Sequence, residues 1–236
     1  MINKKIKQLK EKVFEANIEL YKSNLVLFTF GNVSGIDENR ELVAIKPSGV
    51  DYNKIMPDDI VIVSIDGTVV NTSLKPSLDT KTHLELYNSF PGIGGVAHTH
   101  SRYATSFAQA NTSINCYGTT HADYFLGQIP CTDFIKDNAI NKDYEKETGR
   151  LIVNTFKDRD IDINKIKGCL VAGHGPFTWG LTPMDSVNMS IVLEEIAQQN
   201  FLTKLINPSI DTLKVRLIEK HFYRKHGINS YYGQKY

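Results

Sequence analysis

The sequence is short of cysteine, of excess charge of one sign and of long apolar runs. It has three cysteines, Cys116, Cys131 and Cys169, an odd number at wide spacing. This pattern fits reduced thiols in a cytoplasmic protein better than a disulfide framework. The formal net charge of +1 provides neither a basic footprint for nucleic acid nor an acidic tail. No apolar run approaches the length that crosses a bilayer, so we expect neither a nucleic-acid nor a membrane partner.

The sequence also lacks linkers, repeats and low-complexity tracts, because proline, glycine and serine are scattered along it. Residues 1–12 alternate lysine with isoleucine and leucine at helical spacing, which differs from the apolar core of a signal peptide. A chain of 236 residues is long enough for one large domain with a substantial core. We therefore predict one domain over residues 1–236.

Hydrophobic periodicity predicts interleaved helices and short strands. Apolar residues recur at helical spacing up to about Ser23 and predict an opening helix. Thr182 and Pro183 are typical of an N-cap and a first helical residue, so a long helix should run from there to about Ile206. The other predicted helices cover residues 79–90, 102–110, 145–156 and 211–226. The predicted strands cover residues 42–45, 60–65, 68–70, 169–172, 177–179 and the segment that leads into His98.

Two features indicate how the predicted strands pair. Asp66-Gly67 is typical of a hairpin turn, and residues 169–179 form a predicted strand-turn-strand unit. Both connections favour antiparallel neighbours over parallel ones. We therefore predict an α/β fold whose sheet is mixed or antiparallel and covered by helices.

Three histidines form the most informative pattern. His98 and His100 follow a short apolar run, and residues i and i+2 of a strand share a face with Cα atoms about 6 to 7 Å apart. His174 ends another apolar run between Gly173 and Gly175, and glycines permit a close approach of the backbone. A single histidine is more often a hydrogen-bonded structural residue. Three that agree in type and position favour a catalytic metal site with one open coordination position.

Three segments rich in small polar residues precede the histidines, at residues 31–35, 46–50 and 75–77. Each combines hydroxyl or amide groups with a glycine or a lysine, as a loop that binds a phosphate monoester requires. None matches a P-loop or a dinucleotide-binding motif. Taken singly, each is more typical of an ordinary turn, so only their repetition indicates phosphate binding.

Other candidate residues have two interpretations each. Asp79 starts a predicted helix, and its spacing alone favours a helix cap over a metal-site carboxylate. Asp123 could be a general acid or base, and His121 would share a strand face with it, which leaves an additional metal ligand open. Tyr232 lies in a tyrosine-rich tail, residues 231–236, that is more typical of a packing strap than of a catalyst.

Together these motifs resemble the L-ribulose-5-phosphate 4-epimerases, a family of the class II aldolase superfamily. The resemblance follows the chain in order through Gly31-Asn32-Val33-Ser34, Lys46-Pro47-Ser48-Gly49-Val50, Asp79-Thr80, His98-Thr99-His100-Ser101, Gly118-Thr119-Thr120-His121-Ala122-Asp123-Tyr124-Phe125, His174-Gly175-Pro176-Phe177 and Tyr231-Tyr232-Gly233-Gln234. It implies a three-layer α/β/α sandwich with a largely antiparallel central sheet. It also implies a homotetramer with active sites at the subunit interfaces.

The resemblance implies one zinc ion per subunit, with His98, His100 and His174 as ligands and Asp79 as the carboxylate at the metal. Other divalent metals also accept a histidine triad. The implied substrate is a phosphorylated pentulose. The implied activity is C4 epimerisation of L-ribulose 5-phosphate to D-xylulose 5-phosphate, by retro-aldol cleavage and re-addition.

The remaining roles are also implied by position within the family motifs. Asp123 and Tyr232 resemble an acid/base pair that the neighbouring subunit supplies. The residues implied in binding the substrate and its phosphate are Asn32, Lys46, Ser48, Gly49 and Ser77, with Thr119, Glu145, His221 and Arg224 at secondary positions.

One departure and two alternatives accompany this resemblance. Relatives carry Ser-Ser-Asp where this chain has Ser77-Leu78-Asp79, so one hydroxyl expected on the phosphate is missing. An L-fuculose- or L-rhamnulose-phosphate aldolase is the nearest alternative, but those enzymes use a glutamate where this chain has the shorter Asp79. A non-catalytic scaffold, as in adducin, is expected to lose metal ligands, and the three histidines argue against it.

Overall fold

A central antiparallel sheet organises the chain in a computed structural model that describes residues 2–70, 73–228 and 230–232. In the described ranges the sheet has seven strands in the order β4-β3-β2-β1-β5-β7-β6. The strands are β1 (Asn32–Ile36), β2 (Leu42–Ile45), β3 (Val61–Ser64), β4 (Val69–Val70), β5 (Gly95–His98), β6 (Gly168–Val171) and β7 (Gly175–Gly180). The predicted strand over residues 42–45 and the Asp66-Gly67 hairpin are confirmed.

Helices cover both faces of this sheet. They are α1 (Ile2–Lys22), α2 (Thr80–Ser89), α3 (Arg102–Gln109), α4 (Thr119–Ala122), α5 (Asp137–Ile140), α6 (Tyr144–Asp158), α7 (Pro183–Ile206) and α8 (Val215–His226). The Thr182 side chain accepts a hydrogen bond from the Asp185 N–H at the start of α7, as its N-cap position predicts. Helix α8 begins at Val215 rather than at residue 211. None of the helices within the described residues is long and apolar enough to span a membrane.

The alternation of side chains along the strands creates two apolar layers. Val33 of β1 and Ala97 of β5 pack with residues of α1 and α7 on one face. Val43 of β2 and Val96 of β5 belong to the large core cluster on the other face, which includes apolar residues of α2 and α6. Because successive side chains of a strand point to opposite faces, apolar residues on both faces of the sheet are buried under helices. This arrangement confirms the predicted three-layer α/β/α fold with an antiparallel sheet.

Two local predictions are wrong. The segment at residues 31–35, interpreted as a phosphate-binding loop, instead contributes residues 32–35 to the fully buried strand β1, which lies between β2 and β5. Asparagine and glycine are depleted in strands, so pairing on both sides decides the conformation. His121 and Asp123 do not share a strand face, because residues 119–122 form the short helix α4. The predicted tail is described only as far as Tyr232, and residues 233–236 lie outside the described residues.

Candidate metal and substrate site

The three predicted histidines converge beside the end of β5. One ligand nitrogen from each of His98, His100 and His174 lies within 4.8 Å of the other two. The Nε2 atoms of His98 and His100 are 3.0 Å apart. Zn–N bonds of about 2.0–2.1 Å in a tetrahedron place neighbouring ligand nitrogens about 3.3 Å apart. The geometry of this group, the histidine triad, therefore fits one small divalent cation.

The strand geometry expected for His98 and His100 is wrong in one respect. β5 ends at His98, so His100 lies beyond the strand rather than on a shared strand face. His98 is buried in the sheet beside Asn32 of β1 and Phe177 of β7, whereas His100 is exposed. The triad therefore has a buried base and a side that faces solvent, through which a substrate can reach it.

The backbone of β7 fixes the orientation of His98. Its Nδ1–H donates to the Pro176 carbonyl oxygen at 2.9 Å, which leaves the Nε2 lone pair for a metal ion. The Phe177 ring stacks on the imidazole with centroids 4.1 Å apart and planes at 16°. A Cβ atom on Gly175 would lie 2.7 Å from the Thr99 carbonyl oxygen, so this glycine permits the predicted close approach.

The triad is held in the neutral form that binds metals. Burial lowers the pKa of His98 to about 3, against the opposing charge of Asp79. Burial also lowers the pKa values of His100 and His174. Neutral imidazoles need not lose a proton before they coordinate a cation near pH 7.

Asp79 lies beside the triad but outside the group of atoms within 4.8 Å of one another. It occupies the predicted N-cap position of α2, but its side chain makes no capping hydrogen bond. The Asn32 side-chain amide instead donates to Asp79 Oδ2 at 2.6 Å. Burial raises the pKa of Asp79, but the nearby His98 and the Asn32 hydrogen bond outweigh it and hold the pKa below its usual value. The carboxylate is therefore charged, and Asn32 holds its Oδ2 atom in place.

The two predicted loop segments at residues 46–50 and 75–77 pair with each other. The Ser48 N–H donates to the Lys75 carbonyl oxygen at 2.9 Å, and the Ser77 N–H donates to the Lys46 carbonyl oxygen at 3.0 Å. The Asn32 amide also donates to Ser77 Oγ at 3.0 Å. Gly49 has φ +69° and faces open space, as a backbone that contacts a ligand requires. The structure thus connects the predicted phosphate residues to Asn32 and through it to Asp79.

Lys46, in the first of these two segments, is a buried cation. Its ammonium lies 4.5 Å from the centre of the Tyr52 ring and 3.4 Å from the Thr29 carbonyl oxygen. Burial lowers its pKa to about 8, although the charge of Asp51 acts in the opposite direction. The lysine is therefore close to its titration point in neutral solution.

A cavity of about 600 Å³ lies next to Ser77. Leu78 and Glu145 both line it, together with Lys75 and Lys81. The Leu78 side chain is 73% exposed, so it faces this cavity and solvent rather than the core. The residue that replaces the expected serine is therefore in a position to influence ligand binding.

Asp123 and Tyr232 belong to a second group, the C-terminal cluster, which also contains His221 and Arg224. The Arg224 guanidinium donates to both Asp123 oxygens at 3.0 Å, and His221 Nδ1 lies 3.0 Å from Oδ1. The Tyr232 ring lies 5.4 Å from the Arg224 guanidinium carbon. Burial raises the pKa of Asp123, but Arg224 and His221 outweigh it and lower the pKa.

Thr119 lies beside this cluster, because its carbonyl oxygen accepts the Asp123 N–H at 2.9 Å. Within the described ranges, neither Asp123 nor Tyr232 has a hydrogen bond, ion pair or ring contact with the histidine triad. His121 is also separate from the triad, and its Nε2–H donates to the Gly127 carbonyl oxygen at 2.7 Å. The structure therefore divides the predicted site residues between two places in the chain.

The sequence patterns do not predict two aromatic neighbours of the triad. The Tyr144 hydroxyl lies 3.5 Å from His174 Nδ1, and the Phe30 ring lies 6.3 Å from the His100 ring. Both contacts join residues that are far apart in the sequence. No local spacing or composition signal could have indicated them.

Comparisons with known proteins show what this chain is similar to. The family model described as "Class II Aldolase and Adducin N-terminal domain" matches residues 11–201. The L-ribulose-5-phosphate 4-epimerase UlaF of Salmonella paratyphi C (strain RKS4594) is 47% identical over 230 residues, which cover 98% of this chain and 100% of that protein. UlaF of Salmonella choleraesuis (strain SC-B67) matches equally well.

Solved structures share the fold at low sequence identity. An L-fuculose 1-phosphate aldolase has a TM-score of 0.75 at 22% identity, covering 91% of this chain and 94% of its own. An aldolase II superfamily protein from Pseudomonas syringae has a TM-score of 0.76 at 17% identity. The match covers 95% of this chain and 86% of that protein. At such identities these two structures support the fold alone.

Proposed function

We propose that this chain, which belongs to the class II aldolase and adducin family, catalyses the C4 epimerisation of L-ribulose 5-phosphate to D-xylulose 5-phosphate. The observation that carries the proposal is the 47% identity to a curated 4-epimerase over 98% of this chain and the whole of that protein. The convergent histidine triad supports it, because a chain that had kept only the fold would be free to lose these ligands. The enzyme is then an isomerase of carbohydrate metabolism, and arabinose catabolism is one route that uses this reaction.

We propose that the triad holds one zinc ion per subunit, with the Asp79 carboxylate beside it. Three neutral imidazole nitrogens within 4.8 Å of one another, one side of the group open to solvent, fit a catalytic zinc site. Once bound, the cation would supply Lewis-acid chemistry by polarising the ketose carbonyl. Asn32 would keep Asp79 oriented through their 2.6 Å hydrogen bond.

The paired loops are proposed to bind the sugar phosphate. Ser48, Gly49 and Ser77 offer hydroxyl and backbone N–H groups, which bind phosphate oxygens well. Lys46 adds a cation from beneath the loops, and Glu145 lines the adjoining cavity. These groups hold the substrate so that its C3–C4 bond lies at the triad.

Asp123 and Tyr232 are proposed to transfer protons at C4. One of them removes the proton of the C4 hydroxyl group, and the C3–C4 bond breaks. The resulting aldehyde then rotates so that its opposite face is turned to the enediolate. The bond then forms again on the other face of the aldehyde, and the second member of the pair donates a proton to the new hydroxyl group. Arg224 and His221 hold the Asp123 carboxylate in its charged form, in which it can accept a proton.

The separation of the two clusters supports a shared active site. Because Asp123 and Tyr232 have no contact with the triad in the described part of their own chain, we propose that the neighbouring subunit supplies them. A homotetramer with active sites at its interfaces meets this need. Three buried free thiols support a location in the reducing cytoplasm.

The aldolase alternative differs only in the fate of the fragments. Fold similarity to an L-fuculose 1-phosphate aldolase keeps this alternative open. The aspartate at position 79 opposes it, because a shorter carboxylate lies farther from the carbon that must be protonated before the fragment can leave.

The test is to incubate the purified protein with L-ribulose 5-phosphate and a divalent metal and to identify the products. We expect D-xylulose 5-phosphate, with little free glycolaldehyde phosphate. Accumulation of the free aldehyde would instead support the aldolase. The His98→Ala protein is the control for contaminating activity.

A further inference from the structure

A short loop beside the triad, residues 25–31, exposes three apolar side chains. Leu27 is 68% exposed, Phe28 is 78% exposed and Phe30 is 55% exposed. Aromatic rings contribute most of their energy when they are buried, so adjacent exposed rings indicate a contact that this chain alone does not complete.

Hydrogen bonds from two buried side chains hold the backbone of this loop in place. The Tyr52 hydroxyl lies 3.1 Å from the Phe30 carbonyl oxygen and 2.8 Å from the Gly31 carbonyl oxygen, and can donate to either. The Lys46 ammonium donates to the Thr29 carbonyl oxygen at 3.4 Å. Gly31, at φ +73°, lies so close to the metal strand that a Cβ there would be 2.8 Å from the His98 carbonyl oxygen. The exposure of the rings is therefore a property of an ordered backbone.

The backbone at Phe28 is strained. Phe28 has φ +53°, in the left-handed region that bulky residues rarely adopt. Such strain persists only where the surrounding structure determines it, and it is concentrated at functional sites. The Phe28 and Phe30 rings pack edge to face with centroids 6.2 Å apart, and the Phe30 ring is 6.3 Å from His100. The two phenylalanines thus form an apolar wall that is continuous with the exposed side of the triad.

We propose that this wall retains the aldehyde fragment between bond cleavage and re-addition. The inference rests on the proposed epimerase function. Breaking the C3–C4 bond yields a two-carbon aldehyde phosphate and a three-carbon enediolate, and re-addition forms the same bond again without any oxidant or reductant. The aldehyde must rotate between these steps without leaving. An apolar wall has no donor that would lock the carbonyl group in one orientation, and it occupies space through which water and the fragment would exchange.

The same reasoning favours a substrate fragment over a partner subunit as the occupant of the wall. The loop bonds Tyr52 and Lys46, of which Lys46 is proposed to bind the sugar phosphate, and it leads directly into Asn32. The wall therefore determines whether the enzyme recombines its fragments or releases them.

The experiment measures the ratio of free aldehyde to D-xylulose 5-phosphate formed from L-ribulose 5-phosphate. In Phe30→Ala and Phe28→Ala we expect this ratio to rise at least about tenfold, the factor expected when an apolar ring contact is lost. Phe30→Leu keeps apolar bulk and should stay near the wild-type ratio. Phe201→Ala is the matched control, because this phenylalanine is 45% exposed on α7 and contacts Tyr103.

Metal content and oligomeric mass are measured on every variant. If the ratio of free aldehyde to D-xylulose 5-phosphate is unchanged in both alanine variants at full metal content, this inference fails while the proposed function stands. Dissociation of the oligomer in both would identify the rings as a subunit contact and would also overturn it. If wild-type protein forms no D-xylulose 5-phosphate, the proposed function itself fails and the inference fails with it. Should Phe30→Ala not fold, Phe28→Ala decides the question, because its ring is the more exposed.

Discussion

His98 is the residue on which the proposed metal site depends most, because both of its ring nitrogens have a defined place. Nδ1–H donates to the Pro176 carbonyl oxygen, and Nε2 lies 3.0 Å from Nε2 of His100. Phe177 prevents rotation of the ring by stacking on it. A metal ion would therefore meet a ligand that is already oriented and neutral.

Replacing His98 tests this site directly. Protein purified with zinc should contain about one metal ion per chain, and His98→Ala should lose most of it, because two imidazoles bind far more weakly than three. Elemental analysis gives the metal content. His226→Ala is the control, since His226 lies in α8 and contacts the Asp123 carbonyl oxygen. Full metal occupancy in His98→Ala would contradict the assignment.

Leu78 is the second residue with a direct test. Its side chain is exposed in the cavity beside Ser77, where the family resemblance implies a serine hydroxyl group. Leu78→Ser should lower KM for the sugar phosphate by an amount worth roughly 0.5 to 1.5 kcal/mol, if the new hydroxyl reaches the phosphate. Steady-state kinetics of Leu78→Ser and Leu78→Ala separate an added hydrogen bond from removal of bulk. A KM that does not fall in the serine variant would show that position 78 does not contact the phosphate.

At the scale of elements, helix α3 begins immediately after the His98-x-His100 segment and is held by a distant residue. The Ser101 side chain makes no capping hydrogen bond at the start of this helix. Glu194 of α7 instead accepts the Tyr103 N–H at 2.8 Å and the Ala104 N–H at 2.9 Å. A carboxylate in this position satisfies two free N–H groups and complements the helix dipole. It thereby fixes the chain that follows His100.

Removing this carboxylate should destabilise the protein. Glu194→Ala leaves two N–H groups of α3 without a partner, which we expect to cost about 1 to 3 kcal/mol in the free energy of unfolding. Denaturant unfolding measures the change. Glu195→Ala is the matched control, because this neighbouring carboxylate is exposed and accepts a hydrogen bond from the Gln199 side chain. Equal stability of the two variants would show that the Glu194 bonds do not support α3.

At the scale of the whole molecule, the central fact is the separation of the triad from the C-terminal cluster. Asp123 is held by residues of α8, whereas the triad lies beside the ends of β5 and β7. The proposed reaction needs groups from both places on one substrate. A second subunit is the simplest way to bring them together.

Mixed oligomers test this arrangement. Asp123→Asn and His98→Ala proteins should each be inactive alone, since one lacks the acid/base group and the other lacks a ligand. Co-expression with random assembly in a closed ring should give about a quarter of sites with an intact triad and an intact Asp123. Recovered epimerase activity in purified hybrids supports the shared site. Hybrids as inactive as either parent would show that each site is built within one chain.

Much of the fold and part of the site could be predicted from sequence because they depend on local signals. The strand over residues 42–45 and the capped start of α7 at Thr182 and Pro183 follow from patterns within a few residues. His98, His100 and His174 stood out by type and by their position after apolar runs. The family motifs added the fold class and the reaction, both of which the comparisons support.

Other features depend on contacts between distant residues, and local signals carry no information about them. Strand β1 contains glycine, serine and asparagine, yet it is central because strands pair with it on both sides. The same composition in isolation would be a loop. Asp79 has the position of a helix cap, but its hydrogen bond to Asn32 joins residues that are 47 positions apart.

The sequence by itself thus determined the residue types of the proposed metal site, the main helices and strands, and the family. Only the tertiary structure decided that β1 is a central strand, that Asp79 bonds Asn32, that Glu194 caps α3 and that Phe30 lies beside His100. The physical reason is that periodicity and capping act over a few residues. Burial, sheet pairing and the meeting of polar groups are properties of the packed chain.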